Sequence, residues 1–265
     1  MGFGQSRWAQ AVSGMRSAPL NRIRIGYFLV RSELLCIVRD PALAAVLVMA
    51  TLPLAVIHFF GAEVDQTVML HAGIEDASRL VGGFLVALPA LLVGWIFAMR
   101  FLEERDEGLE QVFATSVSGI AGFAVMRLAA GSLIAFLLTF PTAAAIGSPP
   151  EMALLVSLCG SLQAIAVGCL LPIFAANRLE GIAYSKLLSP LALVALVALA
   201  DGFWRVIAAP FPTFHSGVLL AATSGSGIGT IVAALAVNLA WAALSIVALA
   251  RTSGLHFQRG EGETE

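Results

Sequence analysis

The chain has 265 residues, 59% of them hydrophobic and 12% charged, with a formal net charge of −2 and a mean hydropathy of +0.91. Soluble domains carry about 25% charged residues, and so apolar a chain cannot furnish a water-facing shell of its own. An ordinary cytosolic enzyme, a disordered chain and a nucleic-acid binder are excluded, and the chain reads as an all-α integral membrane protein.

Residues 20–39 mix Arg22, Arg24, Arg31 and Arg39 with Tyr27, Phe28, Leu34, Leu35 and Val38. That mixture suits an N-terminal interfacial helix, with arginines at anionic headgroups and apolar side chains below them. It serves either as a topology anchor or as a lever. Asp40-Pro41 then supplies a cap and a first-turn proline. A crossing helix needs about 20 largely uncharged residues, and six segments are expected to cross: 41–60, 80–99, 119–146, 152–176, 181–204 and 228–250. The fifth is the shortest uncharged run, and it spans only if Lys186 snorkels to one surface while Asp201 sits near the other. Asp201 and Arg205 are spaced to pair on one helical face. Between the fifth and sixth spans, the stretch around Phe203-Trp204 and Phe211-Pro212-Thr213-Phe214-His215 is apolar but broken by prolines, so a short re-entrant or interfacial element is expected there.

Six crossings put both termini on one side. Of the 15 basic residues, only Arg79 and Arg205 then fall on the opposite face, so the termini are expected in the cytoplasm of a multi-pass protein of the cell membrane. The organisation is a cytoplasmic segment 1–40, a transmembrane domain 41–250 and a cytoplasmic tail 251–265. The first apolar stretch follows a long basic segment and lacks a small-residue cleavage pattern, so it is expected to stay as a span and not to be removed as a signal.

Functional groups are sparse. Cys36, Cys159 and Cys169 lack paired spacing and read as apolar filler; no metal site, cofactor or catalytic group is expected. The sequence contains no G-x-x-x-x-G-K-[ST] phosphate loop, and Gly225-Ser226-Gly227-Ile228-Gly229 has the wrong spacing for a nucleotide fingerprint. Ion-driven transport needs an ionisable group deep in the membrane, and spans one, two, four and six have no carboxylate near the middle. An external energy source is the simpler account. Thr51, Gln163 and Asn238, with His58 farther out, are the polar residues for an inner path, against the plainer role of bonding helix to helix. Trp95, Trp204 and Trp241 read as interface anchors or packing.

The loop after span two is the densest charged segment: Glu103, Glu104, Arg105, Asp106, Glu107, Gly108 and Glu110, with Leu102, Leu109, Val112 and Phe113 on one stripe at helical spacing. An acidic cluster beside a negatively charged leaflet is repelled by it, so this loop reads as a docking surface for a basic groove on a soluble partner, or as a solvated loop.

The run Phe101–Ala130 resembles the cytoplasmic loop of ABC-2 type transporter permeases, in which a glutamate-rich stretch precedes a "LATPVS"-like segment. Here that segment is Phe113-Ala114-Thr115-Ser116-Val117-Ser118, with Ser116 where proline is frequent and Gly119 where a basic or aromatic residue is commoner. Arg39-Asp40-Pro41 is similar to the start of that family's first helix. Asn177-Arg178-Leu179-Glu180-Gly181 with Lys186-Leu187-Leu188 resembles a drug-export subgroup. The resemblance implies the membrane subunit of an ATP-driven exporter of hydrophobic or amphipathic cargo. Its implied partners are a separate ATP-binding cassette ATPase pushing on a coupling helix after span two, a second permease protomer (identical or related) and membrane lipid, with no nucleic acid. The competing classes are a membrane-embedded lipid-modifying enzyme, which needs the acidic cluster as its chemistry, and a non-transporting scaffold.

Overall fold

The computed structural model describes residues 31, 32, 35, 37–72, 81–109, 119–200, 202–221 and 227–260. Among them there is no strand, and six helices are long and apolar enough to cross a membrane. They are α1 (Pro41–Ala72), α2 (Gly82–Asp106), α3 (Gly119–Ala145), α4 (Pro150–Phe174), a fifth span made of several pieces, and α9 (Ile228–Gly260). Of the expected interfacial helix, only positions near its end fall within the described residues; there Ile37 is buried and Arg39 exposed.

α1 begins as its sequence dictates. The Asp40 carboxylate accepts the Leu43 N–H at 3.2 Å, and Pro41 occupies the first helical position, where no N–H is needed. The helix continues well past the expected end near residue 60. Its 32 residues make a rod of about 48 Å, longer than the ~30 Å hydrocarbon core. The extra turns carry exposed Glu63, Gln66 and Thr67, so this end is built for water.

The fifth span differs from a plain helix. It runs Arg178–Leu199 as α5 (Arg178–Tyr184), a 3₁₀ turn (Ser185–Leu187), α6 (Leu188–Leu193) and a 3₁₀ run (Val194–Leu199). Pro190 cannot donate to the carbonyl four residues back, which explains the first interruption. Ala200 is extended and Gly202 has φ 71°, so the helix stops before Trp204. Arg205 therefore belongs to the next element, α7 (Phe203–Ala208), and Asp201 lies outside the described residues. α7 exposes Phe203, Trp204 and Val206. The following helix, α8 (Pro212–Ala221), does the opposite: Thr213, Phe214, His215, Ser216, Gly217, Leu219 and Leu220 are all buried. It packs against the 3₁₀ run, α2, α4 and α9.

α2 is the central post, with most of its length buried against α3, α4, α1 and α8. Pro89 and Pro172 lie inside α2 and α4 without ending them. Cys159 and Cys169 are free and buried, as filler residues are. The α2–α4 crossing is tight at Gly94, where an added Cβ would stand 2.7 Å from the Ala164 carbonyl oxygen and 2.9 Å from Val167 Cβ. Small residues at such crossings let backbones approach. Gly94→Val should therefore destabilise the protein by roughly 1–3 kcal/mol, read as a lowered unfolding midpoint of the detergent-solubilised protein.

Candidate functional site: a charged clamp at one end of the bundle

The first part of the acidic run, Glu103–Asp106, forms the last turn of α2 itself, with Glu107 at its C-cap. The helix ends at Asp106 in a Schellman motif: Leu109 N–H donates to Glu104 O at 2.9 Å and Gly108 N–H to Arg105 O at 3.1 Å. Gly108 has φ 69°, a left-handed conformation that glycine adopts without steric cost. Leu102 is fully buried, whereas Val112, Phe113 and Glu110 lie outside the described residues. The last turns of α2 are thus a direct extension of the post that organises the bundle.

Their charges are turned into it. Arg127 of α3 is 1% exposed and donates to both Glu104 carboxylate oxygens, Nη1 to Oε2 at 2.6 Å and Nη2 to Oε1 at 2.5 Å. Its guanidinium lies 4.8 Å from the Phe101 ring centroid and 4.5 Å from that of Phe123. A planar cation held edge-on by a carboxylate and face-on by two rings is a use to which only arginine is suited. Glu103 pairs with Arg100 of its own helix and, at 3.0 Å, with Arg178 at the start of α5. Arg178 also reaches Asp40 at 3.0 Å, while its backbone N–H donates to Asp106 Oδ2 at 3.0 Å. Arg105 donates to the carbonyls of Pro172 and Ala175 at 3.0 and 3.4 Å, placing a cation where the α4 dipole is negative.

Each connection has a local cause. Asn177 caps α5 by accepting the Glu180 N–H at 2.9 Å, and Glu180 accepts the Ala176 N–H at 2.8 Å. This is a variant of the capping box, written in the sequence as Asn177-x-x-Glu180. It fixes Arg178 in the first turn, pointing at the end of α2. Gly181 follows, where an added Cβ would lie 2.5 Å from Leu102 Cδ1, and its carbonyl accepts the buried Trp95 indole N–H at 3.2 Å. Trp95 is therefore a tie between α2 and α5.

Among the residues expected in the loop, the structure brings Glu103, Glu104, Arg105 and Asp106 into one cluster. Glu107 is exposed at the C-cap of α2. The arginines that complete the cluster, Arg100, Arg127 and Arg178, are not among the residues that the sequence singles out for coupling. The available signal was Arg127, a charge within an otherwise apolar run.

The polar residues considered for an inner path divide. Gln163 and Asn238 meet, with Gln163 Nε2 donating to Asn238 Oδ1 at 3.0 Å, to Ser216 Oγ at 2.8 Å and to Pro212 O at 3.2 Å. Thr51 stands apart on α1 and donates to its own helix at Val48 O, 2.7 Å away; His58 is exposed beside Phe59.

One protein-family model, described as Fluoroquinolones export permease protein Rv2686c-like, matches residues 33–250. No curated protein and no solved structure matches significantly.

The Glu104–Arg127 pair gives a direct test of the clamp. Arg127→Met takes two hydrogen bonds and the nearer cation from the buried Glu104 carboxylate, leaving it Arg100 at 3.8 Å, and should cost roughly 3 kcal/mol. Adding Glu104→Leu should recover much of that loss, as read from unfolding midpoints of the two purified variants.

Proposed function

Since the chain belongs to the Rv2686c-like fluoroquinolones export permease family, of ABC-2 type permeases, we propose that it is the membrane half of an exporter driven by a separate ATP-binding cassette ATPase. It works beside a second permease protomer in the cell membrane, with both termini in the cytoplasm. The family description suggests fluoroquinolone-like cargo: planar, amphipathic molecules suited to an interior poor in charge.

The observation that carries this reading is the clamp. An ATPase performs work on a permease only if a force at the surface reaches the spans without being absorbed by a soft loop. Here the end of α2 is joined through side chains to α3, α4 and α5, and Arg178 of α5 passes the link on to Asp40 at the start of α1, so a displacement of this end is carried to the ends of the other four helices. The arginine distribution supports a cytoplasmic position for this end. Glu107, exposed just beyond the clamp, is the carboxylate we assign to the ATPase groove, with Glu110 following it in the chain. Glu103, Glu104, Arg105 and Asp106 transmit the push, and Gly108 turns the chain just after Glu107.

A lipid-modifying enzyme would use these carboxylates as free acids or bases, whereas Glu103 and Glu104 are held by arginines. That engagement favours a mechanical role.

The test is ATP-dependent uptake of a fluorescent fluoroquinolone into inverted vesicles holding the chain with its co-purified ATPase. Uptake above the ATP-free control is expected; none from a verified complex would overturn the exporter reading. Glu107→Lys with Glu110→Lys should lower permease-stimulated ATPase activity by about tenfold, equivalent to ~1.4 kcal/mol of lost interaction. The unfolding midpoint should remain unchanged, because Glu107 is exposed.

A further inference from the structure

α8 is an unusual element for its place in the chain. It connects two spans and follows an exposed helix, yet its side chains are buried on several sides: Leu219 packs with Val86 of α2, Val156 of α4 and Ala234 of α9, while Phe214 packs with Ala198 of the fifth span. Thr213, His215 and Ser216 are buried polar residues, and a helix carrying such groups into an apolar setting needs partners for them.

His215 bonds back to Ala209 O at 2.9 Å, at the end of α7, and the other partners fall into two sets. Toward the fifth span, Thr213 Oγ1 donates to Leu191 O at 2.6 Å. A Cβ on Gly217 would lie 2.0 Å from Ala195 O, so the α8 backbone rests directly on that carbonyl. The fifth span is interrupted by its 3₁₀ run over Val194–Leu199, and α8 covers carbonyls beside and within that interruption. Non-helical backbone at membrane depth is tolerated where protein covers it. α8 and the second half of the fifth span therefore satisfy each other.

Toward α4 and α9 the attachment is a small polar knot. Gln163 donates to Pro212 O, Ser216 Oγ and Asn238 Oδ1. Asn238 donates to Ala234 O at 2.8 Å and to Pro212 O at 3.4 Å. Trp241 Nε1 donates to Pro210 O at 2.8 Å, just upstream. The knot is also incomplete: Gln163 Oε1 is buried with no hydrogen-bond partner among the described residues. An unmet buried acceptor weakens the closed arrangement relative to one in which it finds a donor.

We propose that α8 is a gate helix that moves as one body with the 3₁₀ half of the fifth span, and that Gln163 and Asn238 are positioning residues that latch it closed against α4 and α9. The gate's purpose rests on the exporter reading; its motion is read separately. A 3₁₀ helix rises about 2.0 Å per residue and an α-helix about 1.5 Å, so converting Val194–Leu199 to α-helix shortens the span by ~3 Å and draws α8 with it. The unmet Oε1 takes a donor, from water or cargo, when the latch opens.

The experiment uses the full chain with its ATPase in vesicles, after Cys36, Cys159 and Cys169 are replaced by alanine. Leu219→Cys, at a position 1% exposed, reports opening through its labelling rate with a membrane-impermeant maleimide. Gln163→Leu should speed labelling about tenfold or more, the shift expected when roughly 1.4 kcal/mol of latch is removed. The exchange Gln163→Asn with Asn238→Gln retains an amide pair of the same combined length and should return the rate to within about twofold of the parent. A Leu191→Cys/Thr213→Cys pair should cross-link equally in the parent and in Gln163→Leu, because its two positions travel together. If Gln163→Leu does not fold, Ser216→Ala removes a single bond of the knot and should speed labelling about threefold. Equal labelling in parent and latch variants overturns the latch, and a cross-link lost in Gln163→Leu overturns the common body. Latch-dependent labelling that does not respond to ATP supports the latch and counts against the exporter reading alone.

Discussion

The fold turns on one buried ion pair. Arg127 has to be brought from water into a site where it is 1% exposed, and this is tolerable because Glu104 meets it with two hydrogen bonds and two phenyl rings cover its faces. The desolvation cost of such a pair is recovered only when the geometry is nearly complete. The pair therefore fixes the end of α2 against α3 within narrow limits. With that joint set, Glu103 and Asp106 face Arg178, Arg105 faces the end of α4, and the Trp95–Gly181 contact closes α5 onto α2. Uncompensated acids would make a soft, repelling end; cross-paired, they make a stiff one.

Stiffness at the clamp contrasts with the construction of α8 and the fifth span. Apolar packing and shared backbone contacts join those two to each other, while the polar attachment of α8 to α4 and α9, beside the apolar packing of Leu219, is a few neutral hydrogen bonds with one acceptor left over among the described residues. Charge-assisted bonds are about twice as strong as neutral ones. The molecule thus concentrates its strongest polar bonds where we assign the transmission of a push, and uses weaker ones where we assign a release. Tryptophan serves both regions in the same manner, as an indole N–H reaching across to a backbone carbonyl, at Trp95 and at Trp241.

Much of the architecture was legible in the residues. The start of α1 follows from Asp40-Pro41, the stop of α2 at Gly108 is in the sequence as a glycine after an acidic turn, and Asn177-x-x-Glu180 spells the cap of α5. The interruption of the fifth span has Pro190 at its root. The acidic loop looks like a surface in the sequence because five carboxylates within the eight residues 103–110 look solvated when only neighbours in sequence are considered. Their partners stand far away in the chain: Arg127 lies 23 positions from Glu104, Arg178 lies 75 from Glu103 and 138 from Asp40. No spacing rule for a helix face extends that far.

The sequence by itself determined that the chain is an all-helical membrane protein with six crossings, because hydrophobic runs of bilayer length and the placement of arginines act locally, residue against solvent. The tertiary structure alone decided which charges are buried and which remain available, and that Gln163, Ser216 and Asn238 meet at α8. Those outcomes depend on helix rotation and on the closest approach of backbones, set by the packing of the bundle as a whole. A side chain's solvent partner is fixed by its own chemistry, whereas its protein partner is fixed by the positions of all the helices around it.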